Sequence, residues 1–422
     1  MTVFRLSAAT AALLAAVPAS AQILPPDEGE RYLRTTAVRD RQVPGYDAPG
    51  LPVGVFTLSP SLMVDANYTD NLFATEDDTT DDAFLRVAPS LRLQTDGRTR
   101  SLNVSADASF DRHLRRSSEN VDAVSLSAYG TQELPGDLRL RGIARFRVDR
   151  ESRESQNAFA FTRRPVNYRA GGGGVGVSKR VNKWMLAVEG GLERVDFDDA
   201  QFTGGGVLDQ DYRDGSVRQV LGRIDFLLSP AVAQFVRVTH NSSVYAQRSP
   251  LGIRRGAETT EALAGARFEL PVLARGEIGI GYIQSSFRDG RERHFSGLAV
   301  NTHVTFFPTQ LTNVTVSAVR SVNDAGTPES STYVATVGGI QVDHELYRSL
   351  ILGAGAQYER DRFNGADRSD RRIAVNATAD YRLNPWLSLR LSYDRLDLSS
   401  HGTERYKSFT RNRGMIGLGV RI

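Results

Sequence analysis

From about Val53 to the C-terminus, apolar and polar residues alternate with a period of two in segments of roughly 10 to 14 residues. Successive side chains of a strand point to opposite faces, so each segment reads as a β-strand with one apolar and one polar face. The gaps between segments alternate in kind. Short gaps are TDGR (95–98), ELPGD (133–137), RVNK (180–183), LSPA (228–231), PVLARG (271–276), PTQ (308–310), LYRS (346–349) and NPW (384–386). Between them lie long polar stretches such as TDNLFATEDDTTDD (69–82), RHLRRSSE (112–119) and ESRESQNAFAFTRRP (151–165). Short turn, long loop, short turn is the rhythm of an all-β, antiparallel up-and-down transmembrane β-barrel with short periplasmic turns and longer extracellular loops. Counting segments gives about 18 strands, within roughly 16 to 20, and an even number brings both ends to the same side.

A soluble β-sandwich also alternates, so a second signal is needed. In a membrane barrel the lipid-facing aromatics gather at the two interfaces, and therefore at opposite ends of rising and falling strands. Rising segments carry Tyr68, Phe110, Phe146, Tyr282, Tyr358 and Tyr393 at the end of the apolar phase. Falling segments carry Phe226, Phe268, Phe306 and Tyr381 just before the short gap, and Trp184 and Trp386 stand beside short gaps too. A sandwich has no reason to move its aromatics with strand direction. The last segment places Ile416, Leu418, Val420 and Ile422 in one phase, an outward face that ends in an aliphatic residue.

In LRLRGIARFRVDR (138–150) the outward phase is Leu138, Leu140, Gly142, Ala144, Phe146 and Val148. The inward phase holds Arg139, Arg141, Arg145 and Arg147, with Ile143 and Asp149. An arginine facing lipid near the midplane costs about 2 to 4 kcal/mol, which fixes the register. These four arginines, with Arg92 and Arg390 in the inward phases of their own segments, are the candidate lumen and selectivity residues. Asp107, Asp111, Glu189, Glu193, Asp380 and Asp394 share that inward phase. A barrel of this size is too wide to fill with side chains and holds an aqueous channel unless it is plugged. Its arginines then either attract passing anions or pair with carboxylates on nearby strands and brace the wall. Inward acids are as common as inward bases, so both readings stand.

The chain starts MTVFRLSAATAALLAAVPASAQ, with Arg5, an apolar run from Leu6 to Val17, and Ala19 and Ala21 flanking Ser20. This is the pattern of a Sec-type signal peptide over 1–21, which exports the chain, and with the barrel pattern the expected location is the cell outer membrane. Residues 22–53, punctuated by Pro25, Pro26, Pro44, Pro49 and Pro52, read as an N-terminal periplasmic segment or partial plug, and 54–422 as the barrel. No stretch approaches the roughly 18 to 20 apolar residues of a membrane-spanning helix. Cysteine is absent, so neither disulfides nor thiolate metal sites contribute. The 52 basic residues are interleaved with 49 acidic ones for a net charge of +3, which excludes the clustered basic face of a nucleic-acid binder.

The run GGGG (171–174) lacks the G-K-[ST] order of a phosphate loop and lies within a strand, where glycines permit sharp curvature or the close approach of another backbone. The six histidines show no metal-ligand spacing and no G-x-S-x-G is present, so no catalytic residue, cofactor or metal is assigned. Asp77, Asp78, Asp81 and Asp82 offer oxygen ligands without the spacing of a calcium loop, and read as a solvated external loop.

The stretch PSLMVDANYTDNLFATEDDTTDDAFLRVAPSLRL (60–93) joins a Pro-Ser-Leu start, a Tyr-Thr-Asp-Asn-Leu-Phe strand exit, an acidic loop and a second Pro-Ser-Leu strand. It resembles the N-terminal hairpin of the putative β-barrel porin 2 family of outer-membrane proteins. The resemblance implies a channel, linked in some members to surface-polysaccharide export, with no catalytic residues to carry over. The expected function is a channel with a polar, arginine-containing lumen for hydrophilic or anionic solutes, with export of a surface exopolysaccharide through the same lumen. A non-conducting structural or adhesive barrel, its channel closed by the N-terminal segment or by loops such as 151–165, and an outer-membrane hydrolase are the competing classes. Expected partners are outer-membrane lipid and lipopolysaccharide, the barrel assembly machinery and, for export, polysaccharide-export components.

Overall fold

The computed structural model describes residues 36–97, 99–159, 162–292 and 294–422. The expected signal peptide over 1–21 and the first part of the 22–53 segment lie outside the described residues. Eighteen long strands form the barrel. They are β1 Phe56–Thr69, β2 Asp82–Asp96, β3 Arg100–His113, β4 Val121–Leu134, β5 Leu138–Arg150, β6 Asn167–Val181, β7 Trp184–Phe197, β8 Gly215–Ser229 and β9 Val232–Tyr245. The second half is β10 Ala257–Leu270, β11 Ala274–Phe287, β12 Phe295–Thr309, β13 Thr312–Asp324, β14 Thr332–Tyr347, β15 Leu350–Phe363, β16 Ser369–Arg382, β17 Leu387–His401 and β18 Phe409–Arg421. Each strand pairs antiparallel with the next, and β1 closes on β18 from Ser61 against Arg421 to Thr69 against Arg413. A closed ring leaves no unpaired edge in the membrane, which open sheets cannot achieve.

The short turns fall at the eight gaps read from the sequence. In ELPGD the reversal uses Gly136 at φ +80° and Asp137 at φ +55°, the left-handed region that glycine and aspartate enter readily. Pro89 has no N–H to donate, and the β2–β3 ladder passes from Val87 against Phe110 to Ser90 against Asp107 without pairing there.

The outward phase is apolar and exposed around the ring: Leu140, Val188, Val236, Ile280 and Leu391 are each more than two-fifths exposed. Tyr68, Tyr282, Tyr358, Tyr393, Phe306 and Tyr381 hold their girdle positions on this face, and the Trp184 and Phe226 rings meet at 4.7 Å above a short turn. In a bilayer this belt is the expected outer surface.

The interior is less open than the width of the ring suggests. Phe235, Leu263, Ile283 and Ala299, inward-facing on β9 to β12, form a buried cluster against the wall. Further round the ring, Ala74 of loop 70–81 packs on Ala374, Leu396, Leu398 and Phe409 of β16 to β18. The acidic loop is thus solvated only in part. Asp77 and Asp78 are exposed, but Asp82 is fully buried, accepting hydrogen bonds from the Ala83 and Arg115 N–H groups beside His113. Apolar Ala74 draws this loop into the barrel mouth.

Candidate functional site: the lumen wall and its mouth

The glycine run on β6 explains how β5 meets β7. Arg141 on β5 stands opposite Gly176 on β6, and Gly176 stands opposite Glu189 on β7, so the three form one row. With no side chain between them, Arg141 crosses β6 and pairs with Glu189. Arg145, Gly172 and Glu193 form a second row of the same kind. A Cβ on Gly172 would overlap the Leu192 carbonyl oxygen and lie 2.8 Å from the Glu193 Cα, so the strand needs glycine there.

The row pairing continues as a belt. Arg237 on β9 reaches Glu261 at 3.7 Å and Glu277 at 3.5 Å, while Arg223 on β8 binds Asp225 and Glu277, both at 2.8 Å. Arg223 also stacks on Phe235 with its guanidinium carbon 4.2 Å from the ring centroid. Arg223 and Arg237 face each other across the β8–β9 ladder, and the shared Glu277 offsets their repulsion. Of the candidate arginines, Arg139 pairs with Glu133, Arg141 with Glu189, and Arg390 with Asp380 at 2.5 Å. Arg145 and Arg147 are exposed on the inner wall, with Glu193 nearby and Tyr168 bonded to Arg147. Arg92 makes no ion pair among the described residues and lies half-buried between Ser59 and Ser105.

At the short-turn end, residues 36–50 run along the inside of the wall. The Val38 N–H donates to Asn313 Oδ1 at 2.9 Å, and Arg39 clamps Asp343 on β14 (2.7 Å), Asp380 on β16 (2.5 Å) and Thr378 (2.9 Å). Asp40 faces Arg275 of β11, Arg41 binds Glu345, and Asp47 pairs with Arg382 while Arg421 donates to the Tyr46 carbonyl. The segment then turns back as a short strand, Leu51–Val53, paired with the start of β1.

At the long-loop end, loop 151–166 leaves β5 and crosses to the far wall. In a ring of eighteen, β14 is nine strands from β5 and stands directly opposite. The loop's Glu154 binds Arg411 and Arg413 of β18, each at 2.6 Å, and its Gln156 carbonyl accepts from Arg368 at 3.0 Å. On the way Glu151 pairs with Arg213 at 2.6 Å, Arg153 with Glu119 at 2.9 Å, and Asn157 packs against Gly326. Burial alone would raise the Glu154 pKa, but Arg413, Arg411 and, further off, Arg372 outweigh it and hold the carboxyl down to about 2. Loops 198–214, 246–256 and 325–331 converge beside this strap: Tyr212 donates to the Gly326 carbonyl at 3.0 Å, and Arg255 reaches the Ala325 carbonyl.

Lys407 of loop 402–408 caps the strap, its Nζ donating to the carbonyls of Arg153 at 2.6 Å and Ala158 at 3.4 Å. Burial pulls its pKa down to about 7 against the attraction of Glu151, and Arg153, Arg368 and Arg372 add to the lowering. Between about pH 7 and the ordinary lysine value the released loop binds more protons than the docked one, so docking strengthens as pH rises through that window. Ion conductance should therefore fall between about pH 7 and pH 10, and Lys407→Met should flatten the profile. Identical profiles in the two proteins would end this account.

Sequence reasoning missed Glu154, Lys407, Arg411, Arg413 and Arg39. Arg411 and Arg413 share the inward phase of β18, which was a readable signal, but nothing local marks which loop reaches them. Among the described residues, Asp199, Asp209 and Asp211 could bring carboxylate oxygens together, yet all three are exposed.

The chain matches the putative beta-barrel porin 2 family over residues 43–422. No curated protein matches the sequence. Among solved structures, the outer membrane protein opdK from Pseudomonas aeruginosa is similar at 11% identity, covering 86% of this chain and 99% of that one with a TM-score of 0.45. OpdL from Pseudomonas aeruginosa is similar at 11% identity, 88% and 100% coverage and a TM-score of 0.42. The siderophore receptor PirA from the same organism is similar at 10% identity, 86% and 80% coverage and a TM-score of 0.44. The family match spans nearly all of the described chain, and this porin-like outer-membrane β-barrel belongs to the putative beta-barrel porin 2 family.

Proposed function

We propose that the protein is an outer-membrane channel for small hydrophilic solutes in which the lumen favours anions. The observation that carries the reading is the exposure of two inward arginines: Arg145 and Arg147 present guanidinium surface on the inner wall beside the bare glycine face of β6, while Arg141 is buried against Glu189. Glu193 tempers their field, so the preference is a modest one. Replacing both Arg145 and Arg147 with serine should cut the anion-to-cation permeability ratio by roughly half, read from reversal potentials across a planar bilayer under a salt gradient. An unchanged reversal potential would rule out their role in selectivity, and a purified barrel that never conducts would rule out the channel. The export signal over 1–21, the barrel assembly machinery and contact with lipopolysaccharide belong to this reading.

The strap across the mouth favours a second reading, a barrel that stays shut and serves as a structural or adhesive element. Export of an acidic exopolysaccharide requires that strap to swing aside, and a deletion strain with unchanged surface polysaccharide would eliminate it. For a hydrolase, His240 contacts Thr260 at 2.9 Å and Glu258 at 3.2 Å on the outward face. Both neighbours of β10 are paired along its length, so its backbone N–H groups are held in ladders and offer no oxyanion donors.

A further inference from the structure

We propose that Arg411 and Arg413 form a binding site for a carboxylate-bearing solute, occupied in this structure by the channel's own Glu154. The proposal rests on the channel reading and names the chemistry that its outer mouth selects. Both arginines lie in the inward phase of β18, and each places one guanidinium nitrogen 2.6 Å from a different oxygen of the same carboxylate. Two donors converging on two oxygens is the geometry by which proteins recognise carboxylates, with charge-assisted hydrogen bonds roughly twice as strong as neutral ones. Arg411 is nearly buried, so water competes weakly there.

The charge around the socket points the same way. Arg368 is engaged by Asp370 at 2.5 Å, and Arg411 also binds Asp394. Arg413 has Glu154 as its one ion-pair partner among the described residues, and Arg372 adds positive potential to the same spot. Withdrawing Glu154 therefore leaves Arg413 without its ion-pair partner, and Arg411 with Asp394 alone, at the wall facing the lumen just inside the mouth.

Glu154 is delivered by a loop, not by a wall strand, and the loop reaches from β5 to β18, five strands round the ring, to deliver it. A carboxylate arriving from outside meets the same two arginines and competes with the loop's own side chain. Binding of the solute and release of the strap become one exchange, because only one carboxylate fits between the two guanidinium groups. The apparent affinity of the intact protein is then reduced by the fraction of time Glu154 holds the socket.

The test is calorimetric titration of the detergent-solubilised full-length protein at low salt with glucuronate, and with glucose as the neutral match. Glu154→Ala should bind glucuronate about tenfold more tightly than the unaltered protein, as expected if the loop holds the socket about nine-tenths of the time. Glu154→Asp, which keeps the carboxylate, should stay near the unaltered affinity, and Glu154→Ala with Arg413→Gln should lose the gain. Glucose should show no difference among the four proteins. Equal glucuronate affinity in Glu154→Ala and the unaltered protein, or a gain that survives Arg413→Gln, would overturn the proposal. Because no current is measured, a barrel that fails to conduct yet shows these affinities would refute the channel reading alone.

Discussion

Replacing Glu189 with leucine should destabilise the barrel by about 3 to 5 kcal/mol, the cost of taking one partner from a buried ion pair. The Arg141 side chain is wholly buried against the wall, and Glu189 is the carboxylate it reaches across Gly176. The substitution also takes a neighbouring negative charge from Arg237, which is nearly buried itself. Removing both members of the first pair, with Arg141→Met and Glu189→Leu together, should return stability close to that of the unaltered protein, since a hydrophobic replacement of matched volume often equals a buried ion pair. Urea unfolding in detergent micelles, followed by the gel shift between folded and unfolded barrel, reads both. If the two single losses simply added in the double variant, the row would not be a pair. The alternation of the strand makes the experiment clean, because Leu140 and Gly142 on either side of Arg141 face lipid and stay untouched.

Gly172→Val should cost about 3 kcal/mol, at the upper part of the range for overpacking a close contact. The first atom of any side chain there meets backbone on β7, namely the Leu192 carbonyl and the Glu193 Cα, and neither can rotate away. The same change lifts a barrier between Arg145 and Glu193, so a weakened attraction between them adds to the strain. Gly142→Ala is the matched control on the neighbouring strand. Nothing lies within 4 Å of its added methyl group, which should point into lipid and leave stability unchanged within about 0.5 kcal/mol. Equal effects of the two substitutions would mean that β6 is glycine-rich for flexibility and not for passage of the arginines.

The barrel was legible because its signals are local and repeated. Every strand shows the period of two, every short turn sits where the polar cluster is brief, and Tyr68, Phe146 and Tyr393 mark one rim while Phe306 and Tyr381 mark the other. The inward phase of Arg141 and Glu189 was readable for the same reason. That they pair was not, because the pairing depends on a glycine in a third strand and on the register of two ladders. The strap was less legible still. ESRESQNAFAFTRRP reads as a long polar loop able to close the channel, but nothing in it names the receivers of Glu154, which lie 257 and 259 positions further along the chain. Loop 70–81 misled in the opposite sense, since its acidic tip advertises solvent while the single methyl of Ala74 seats it in the interior.

The inner segment carries a consequence for how the molecule is made. Val38 and Arg39 are synthesised before any strand, yet the groups that receive them, Asn313 and Asp380, come 275 and 341 residues later. Those contacts cannot form while the late strands are still outside the membrane. Between them, Arg421 holds the Tyr46 carbonyl beside the junction where the first and last strands meet. A segment made before every strand of the barrel thus finds its place only when the last strand is in register. Protection of this segment from an added protease would report, in time, the moment at which each ring is finished.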